Sequence, residues 1–182
     1  MVVKTVDNIE LYELCRRLAY KVYESSYHPD CVLAILDGGL KPAEIIRNEL
    51  CKLYDDETIE LAYVVIKQKN RRSVMSQFLK HLPVCLLNCM RVISLKIKRV
   101  VPSVKSGHIR VEIPDRCKKI LIVDDAVDTG KTLSSVLNLI SDCINVKTAV
   151  LTVTMSNSDL HPDYCIYDNE MILRFPWARD AK

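Results

Sequence analysis

The sequence predicts an α/β fold built on a doubly wound parallel sheet, and three observations point there. Two short apolar runs, Cys31–Leu36 and Ile120–Val123, and the β-branched Val146–Thr154 have the length and composition of buried strands. Between them lie stretches whose apolar residues recur at helical spacing, Glu44 to about Leu53 and Leu133–Ile140. Glycine is also confined: of only four, Gly38, Gly39 and Gly130 follow strands, where backbone must bend tightly or approach a ligand. Strands alternating with helices give a sheet covered on both faces, with ligand loops at its carboxyl edge.

In chain order, residues Asp7 to Glu24 place Ile9, Leu11, Leu14, Cys15, Leu18, Ala19 and Val22 near helical spacing behind an Asp7 cap. This is a packing helix. The strand Cys31–Leu36 runs into Asp37-Gly38-Gly39-Leu40-Lys41-Pro42-Ala43 and then the Glu44 helix, the layout of an anion loop. Glu60–Lys67 reads as a second strand. The segment after it suggests two short helices meeting at Pro83, because proline has no N–H to donate inside a helix. Ile93–Val101 alternates like a half-buried strand, 102–108 reads as loop, and Ile109–Ile113 returns as a hairpin strand.

The stretch Lys118–Thr132, KKILIVDDAVDTGKT, carries the chemistry. Asp124, Asp125 and Asp128 crowd three carboxylates between a strand and a helix, which costs stability unless cations or hydroxyls offset it. Thr129-Gly130-Lys131-Thr132 supplies a turn and two hydroxyls at the helix start, where free N–H groups and the dipole favour an anion. A helix cap would account for one acid only. Together these groups suit a ligand bearing both hydroxyls and phosphate, such as a sugar phosphate. A nucleotide-binding Walker loop is disfavoured, because Asp125 stands where that motif needs its first glycine.

At 182 residues, with 49% hydrophobic and 27% charged content, the chain fits one domain, 1–182, with a core over about 28–155. A helical insertion spans about 70–92, and a tail runs over about 156–182. The eight cysteines show no paired metal spacing and read as buried free thiols of a reducing compartment. The N-terminus has no apolar signal core, so the expectation is a cytoplasmic protein with no membrane partner. No role in catalysis is expected for the four scattered histidines. The net charge of +3 is unevenly spread: Leu61–Val111 holds no acid but eleven bases, from Lys67 through Lys69, Arg71 and Arg72 to Arg110. Such a one-signed segment attracts anions, polyphosphate and nucleic acid alike.

VDDAVDTGKT resembles the phosphoribosyl-pyrophosphate (PRPP) signature of the type I phosphoribosyltransferases. DGGLKPA is similar to the pyrophosphate loop of the xanthine-guanine branch, and FPW at 175–177 to that branch's C-terminal signature. The resemblance implies a type I phosphoribosyltransferase-like fold with a flexible lid hairpin and a C-terminal hood. It implies Mg2+-dependent transfer of phosphoribosyl from PRPP to a nucleobase, a purine, in purine salvage, by a homodimer. Asp124 and Asp125 would hold the ribose hydroxyls and, through water, magnesium; Asp128 would be the catalytic proton acceptor. Asp128, Thr129, Gly130, Lys131 and Thr132 would wrap the 5-phosphate. Asp37, Gly38, Gly39, Lys98, Arg99 and Lys105 would meet pyrophosphate, and Thr154, Met171 and Ile172 the base.

Two departures are visible. Asp37 stands where the branch usually has a basic residue, and Thr154 or Met155 where a purine-reading lysine is expected, with Met171 replacing a stacking aromatic. They motivate alternatives: a regulatory PRPP-binding protein of the same fold that binds nucleic acid through its basic segment 67–110, or a catalyst for a non-purine acceptor.

Overall fold

The structure, a computed structural model, describes residues 2–36, 38–68, 107–114, 116–140, 145–155, 160–168 and 171–178. The fold is the expected α/β one. After β1 (Val2–Thr5), helix α1 (Asn8–Glu24) starts at the Asp7 cap, whose carboxylate accepts the Glu10 amide at 2.8 Å. Its buried stripe is Leu11, Leu14, Cys15, Leu18, Ala19 and Val22. Strand β2 (Cys31–Ile35) is buried along its whole length. Helix α2 (Leu40–Tyr54) begins earlier than Glu44. Pro42 falls in the first turn of this helix, where its missing N–H has no intrahelical partner to lose.

Strands β3 (Glu60–Gln68), β4 (Gly107–Glu112), β5 (Lys119–Val127), β6 (Asn145–Val153) and β7 (Tyr164–Asp168) complete the main sheet, in order β4-β3-β2-β5-β6-β7. Every pairing is parallel except β3 with β4, which run antiparallel from Tyr63↔Glu112 to Gln68↔Gly107. The return strand expected at Ile109–Ile113 therefore exists, and its partner is β3. The Ile93–Val101 strand lies outside the described residues, as do the helical insertion and the rest of the expected lid. Helix α3 (Lys131–Leu139) links β5 to β6. A separate parallel pair joins β1 to β8 (Met171–Arg174), with Val2↔Met171 and Thr5↔Arg174 in register.

Alternation along the strands divides the core between the two faces of the sheet. Val32, Ala34, Leu121, Val123, Ala149 and Leu151 pack with α1 and α2. Cys31, Leu33, Ile35, Ile120, Ile122 and Val150 pack with Leu133 and Val136 of α3. The amino edge of the sheet is stitched shut. The Tyr27 hydroxyl reaches the carbonyls of Ile120 at 2.9 Å and Asn145 at 3.0 Å. The Asp30 carboxylate accepts the Lys118 and Lys119 amides at 2.8 and 2.9 Å. Among the described residues no helix is long and apolar enough to cross a membrane.

Candidate active site

Strands β2 and β5 are neighbours, pairing Ala34 with Val123, yet their crossovers part: α2 leads to β3 on one side and α3 to β6 on the other. Divergence of this kind opens a crevice at the carboxyl ends of the strands. The two loops expected to bind ligand meet there. A Cβ on Gly39 would come within 2.6 Å of the Val123 carbonyl, 2.7 Å of the Ile35 carbonyl and 3.0 Å of the Asp124 Cα. A Cβ on Gly38 would overlap the Asp125 carboxylate. Both glycines are thus required by close approach, Gly39 to backbone and Gly38 to an acid.

Asp124 and Asp125 were expected after the strand; they lie inside it. β5 continues to Val127, with Asp124 opposite Val150 and Ala126 opposite Thr152. The extension fixes both acids on strand backbone. Asp124 is buried, and its Oδ1 accepts the Asp125 amide at 2.9 Å. Burial pushes the Asp125 carboxyl above its ordinary value, against the lowering effect of the Trp177 indole, Asp124 and nearby amides. Trp177 Nε1 donates to Asp125 Oδ2 at 3.1 Å. Nothing local to FPW reveals this contact with a residue so far upstream.

Beyond β5, Asp128, Thr129 and Gly130 form the turn into α3. Gly130 occupies the cap position with φ 77, a left-handed conformation that glycine adopts without strain, and no side chain caps the helix. The first-turn amides of α3 therefore face the crevice without a side-chain acceptor. Helix α2 likewise starts at Gly39 with no side-chain cap. Lys131, Thr129 and Thr132 are half-buried around this turn.

Asp128 Oδ1 accepts the Thr154 hydroxyl at 2.7 Å, and Thr154 also reaches the Val127 carbonyl, by its amide at 2.9 Å and its hydroxyl at 3.2 Å. Thr154, only 3% exposed, is thus engaged with Asp128. Met171 is half-buried and its carbonyl accepts the Thr152 hydroxyl at 2.6 Å; Ile172 is buried beside it in β8. The tail proposed as hood contributes β7 to the main sheet, while the N-terminal β1 pairs with the tail's β8.

Asp37, Lys98, Arg99 and Lys105 lie outside the described residues, as does nearly all of the basic segment proposed for nucleic acid. His28 pairs with Asp56 at 2.9 Å and His161 with Asp168 at 3.2 Å. Among the described residues no three His, Cys, Asp or Glu side chains converge to hold an ion by themselves. Two adjacent carboxylates remain a hard-oxygen donor set. That suits magnesium, which retains waters and ligand phosphate oxygens and needs only one or two carboxylates.

The sequence profile of the family described as phosphoribosyl transferase domain matches residues 4–178. No curated protein sequence matches the chain. Among solved structures, a purine phosphoribosyltransferase from Pyrococcus horikoshii Ot3 superposes with TM-score 0.67 at 22% identity, over 98% of this chain and 96% of that one. A xanthine-guanine-hypoxanthine phosphoribosyltransferase from Helicobacter pylori gives 0.61 at 16%, over 98% and 95%. A hypoxanthine phosphoribosyltransferase from Trypanosoma cruzi, in complex with the product IMP, gives 0.55 at 14%, over 90% and 74%. At such identities the likeness is one of fold.

Proposed function

Because the chain belongs to the phosphoribosyl transferase family, we propose that it moves the 5-phosphoribosyl group of PRPP onto a purine base and releases pyrophosphate. The observation that carries the reading is the meeting of two loops at the switch point: Gly38 and Gly39 against Asp124 and Asp125, beside the uncapped start of α3. One crevice thereby offers acceptors for hydroxyls and donors for phosphate.

In this reading Asp124 and Asp125 accept hydrogen bonds from the two ribose hydroxyls. The amides at the start of α3, with Thr129, Lys131 and Thr132, hold the 5-phosphate, whose charge the helix dipole favours. The Gly38–Gly39 turn and the α2 N-terminus receive pyrophosphate; Asp37, Lys98, Arg99 and Lys105 join them on the resemblance alone. A base nitrogen attacks the anomeric carbon as its bond to the pyrophosphate oxygen breaks, and Asp128, oriented by Thr154, accepts the proton the base gives up. Met171 and Ile172 supply apolar surface for the ring, with methionine standing in for an aromatic. Asp124 and Asp125 would hold Mg2+ through water. When bound, the ion offsets the charge that builds on departing pyrophosphate.

The purine assignment is supported by the structural neighbours, whose names are those of purine and hypoxanthine transferases. The test is to incubate purified protein with PRPP, Mg2+ and each common nucleobase in turn. Nucleotide is expected with hypoxanthine, guanine or xanthine. Intact PRPP binding with no nucleotide from any base would overturn the transfer reaction.

A further inference from the structure

We infer that Trp177 is a positioning residue for the pentose site, holding the Asp125 carboxylate in place through its indole N–H; the inference rests on the PRPP reading. The contact at 3.1 Å links the C-terminal tail to an acid in the central strand. Trp177 is itself held. Its ring stacks on Phe175 with centroids 4.9 Å apart and planes 4° from parallel, and Phe175 is buried in the core on the α1 and α2 face. The turn between them closes with the Ala178 amide on the Phe175 carbonyl at 2.9 Å, and the Val6 amide holds the Arg174 carbonyl at 2.9 Å. The tail thus runs from the core to Asp125 through a rigid aromatic pair.

The choice of side chain has a physical reason. Asp124 and Asp125 are adjacent carboxylates, and an unoriented pair of like charges repels and turns away. Lysine or arginine could fix Asp125, but as an ion pair it would neutralise the charge meant for ribose hydroxyls or a hydrated cation. Indole is neutral and only a donor. It orients one oxygen, stabilises the ionised form and leaves the net charge of the site intact. Gly38 packs against the same carboxylate, so Asp125 is bounded by the pyrophosphate loop on one side and the tail on another.

Trp177 is the chain's single tryptophan, which makes the wild-type protein its own probe. Calorimetry with PRPP and MgCl2 on the wild type comes first; no heat there defeats the PRPP reading, and this inference with it. Given binding, titrating PRPP and MgCl2 should change the tryptophan emission saturably, with the calorimetric midpoint, because the carboxylate against the indole takes up ligand. Unchanged emission at saturation would overturn the inference. Trp177→Phe keeps the stack and removes the N–H. Its KM for PRPP is expected to rise roughly tenfold, the worth of one hydrogen bond to a charged group, with kcat changed less and Tm nearly unaltered. A KM within about twofold of wild type, or equal loss of stability and affinity, would show packing only. If the variant does not fold, the emission titration decides alone.

Discussion

Asp125 stands in an environment that works against its charge. Burial raises its folded pKa above the ordinary carboxylate value, so the fold favours the protonated form and the charged form carries a penalty. The sign follows. The penalty is absent while the group is protonated in both states and grows as pH rises from the unfolded value through the folded one. Asp125→Asn should therefore melt higher than wild type at about pH 7.5, with little difference at about pH 4, while PRPP binding is lost. Thermal melts at both pH values with calorimetry at the higher one check this; a lower Tm at neutral pH would mean the carboxylate supports the fold. At this scale the acids were legible, because three in five positions have few structural uses. Their partners were not. Thr154 and Trp177 reach Asp128 and Asp125 across the fold, and no local pattern announces such contacts.

Helices α2 and α3 each begin at a glycine that no side chain caps. In a helix with only structural duties, Ser, Thr or Asp would normally satisfy those amides; here no side chain caps either start, in keeping with the phosphate contacts proposed above. Gly130→Ala forces a Cβ into a backbone at φ 77, costing about 1 kcal/mol of stability. PRPP affinity should fall further than that figure explains, because the turn also aims the amides of α3. Denaturant unfolding beside PRPP calorimetry separates the two losses. Among the elements, α1 was readable from its cap and apolar stripe over seventeen residues, except at Ile9, which the spacing puts on the apolar face but which sits in the first turn 79% exposed. The end of β5 was not. Asp124–Val127 looks like loop by composition, and only pairing with β6, up to Val127↔Val153, makes it strand. Strands β1, β7 and β8 are short, and they form through partners distant in sequence, which periodicity within a window does not detect.

Across the whole molecule the two edges of the sheet differ in kind. Tyr27 and Asp30 lock the amino edge with side-chain bonds to backbone, while the carboxyl edge carries glycine turns and acids. Rigidity at one edge holds the opposite loops in register. The thiols follow the same division between a closed interior and an open edge. Cys15, Cys31, Cys51 and Cys117 are buried, and burial pushes Cys15 and Cys31 up to about 12. In the native protein at about pH 8, Cys15 and Cys31 should resist alkylation and become reactive only on unfolding. Mass spectrometry of iodoacetamide-treated protein, with and without denaturant, reads this directly; native labelling at either position would contradict the packing.

Gln68 and Gly107 face each other across one rung of the β3–β4 ladder, although the whole of 69–106 separates them along the chain. A polypeptide that departs and rejoins at the same rung is, topologically, a bracket hung on a hairpin. Exchanging it for a tight two-residue connection demands no rethreading of any other strand. The order and direction of the other strands are therefore independent of how long that connection is.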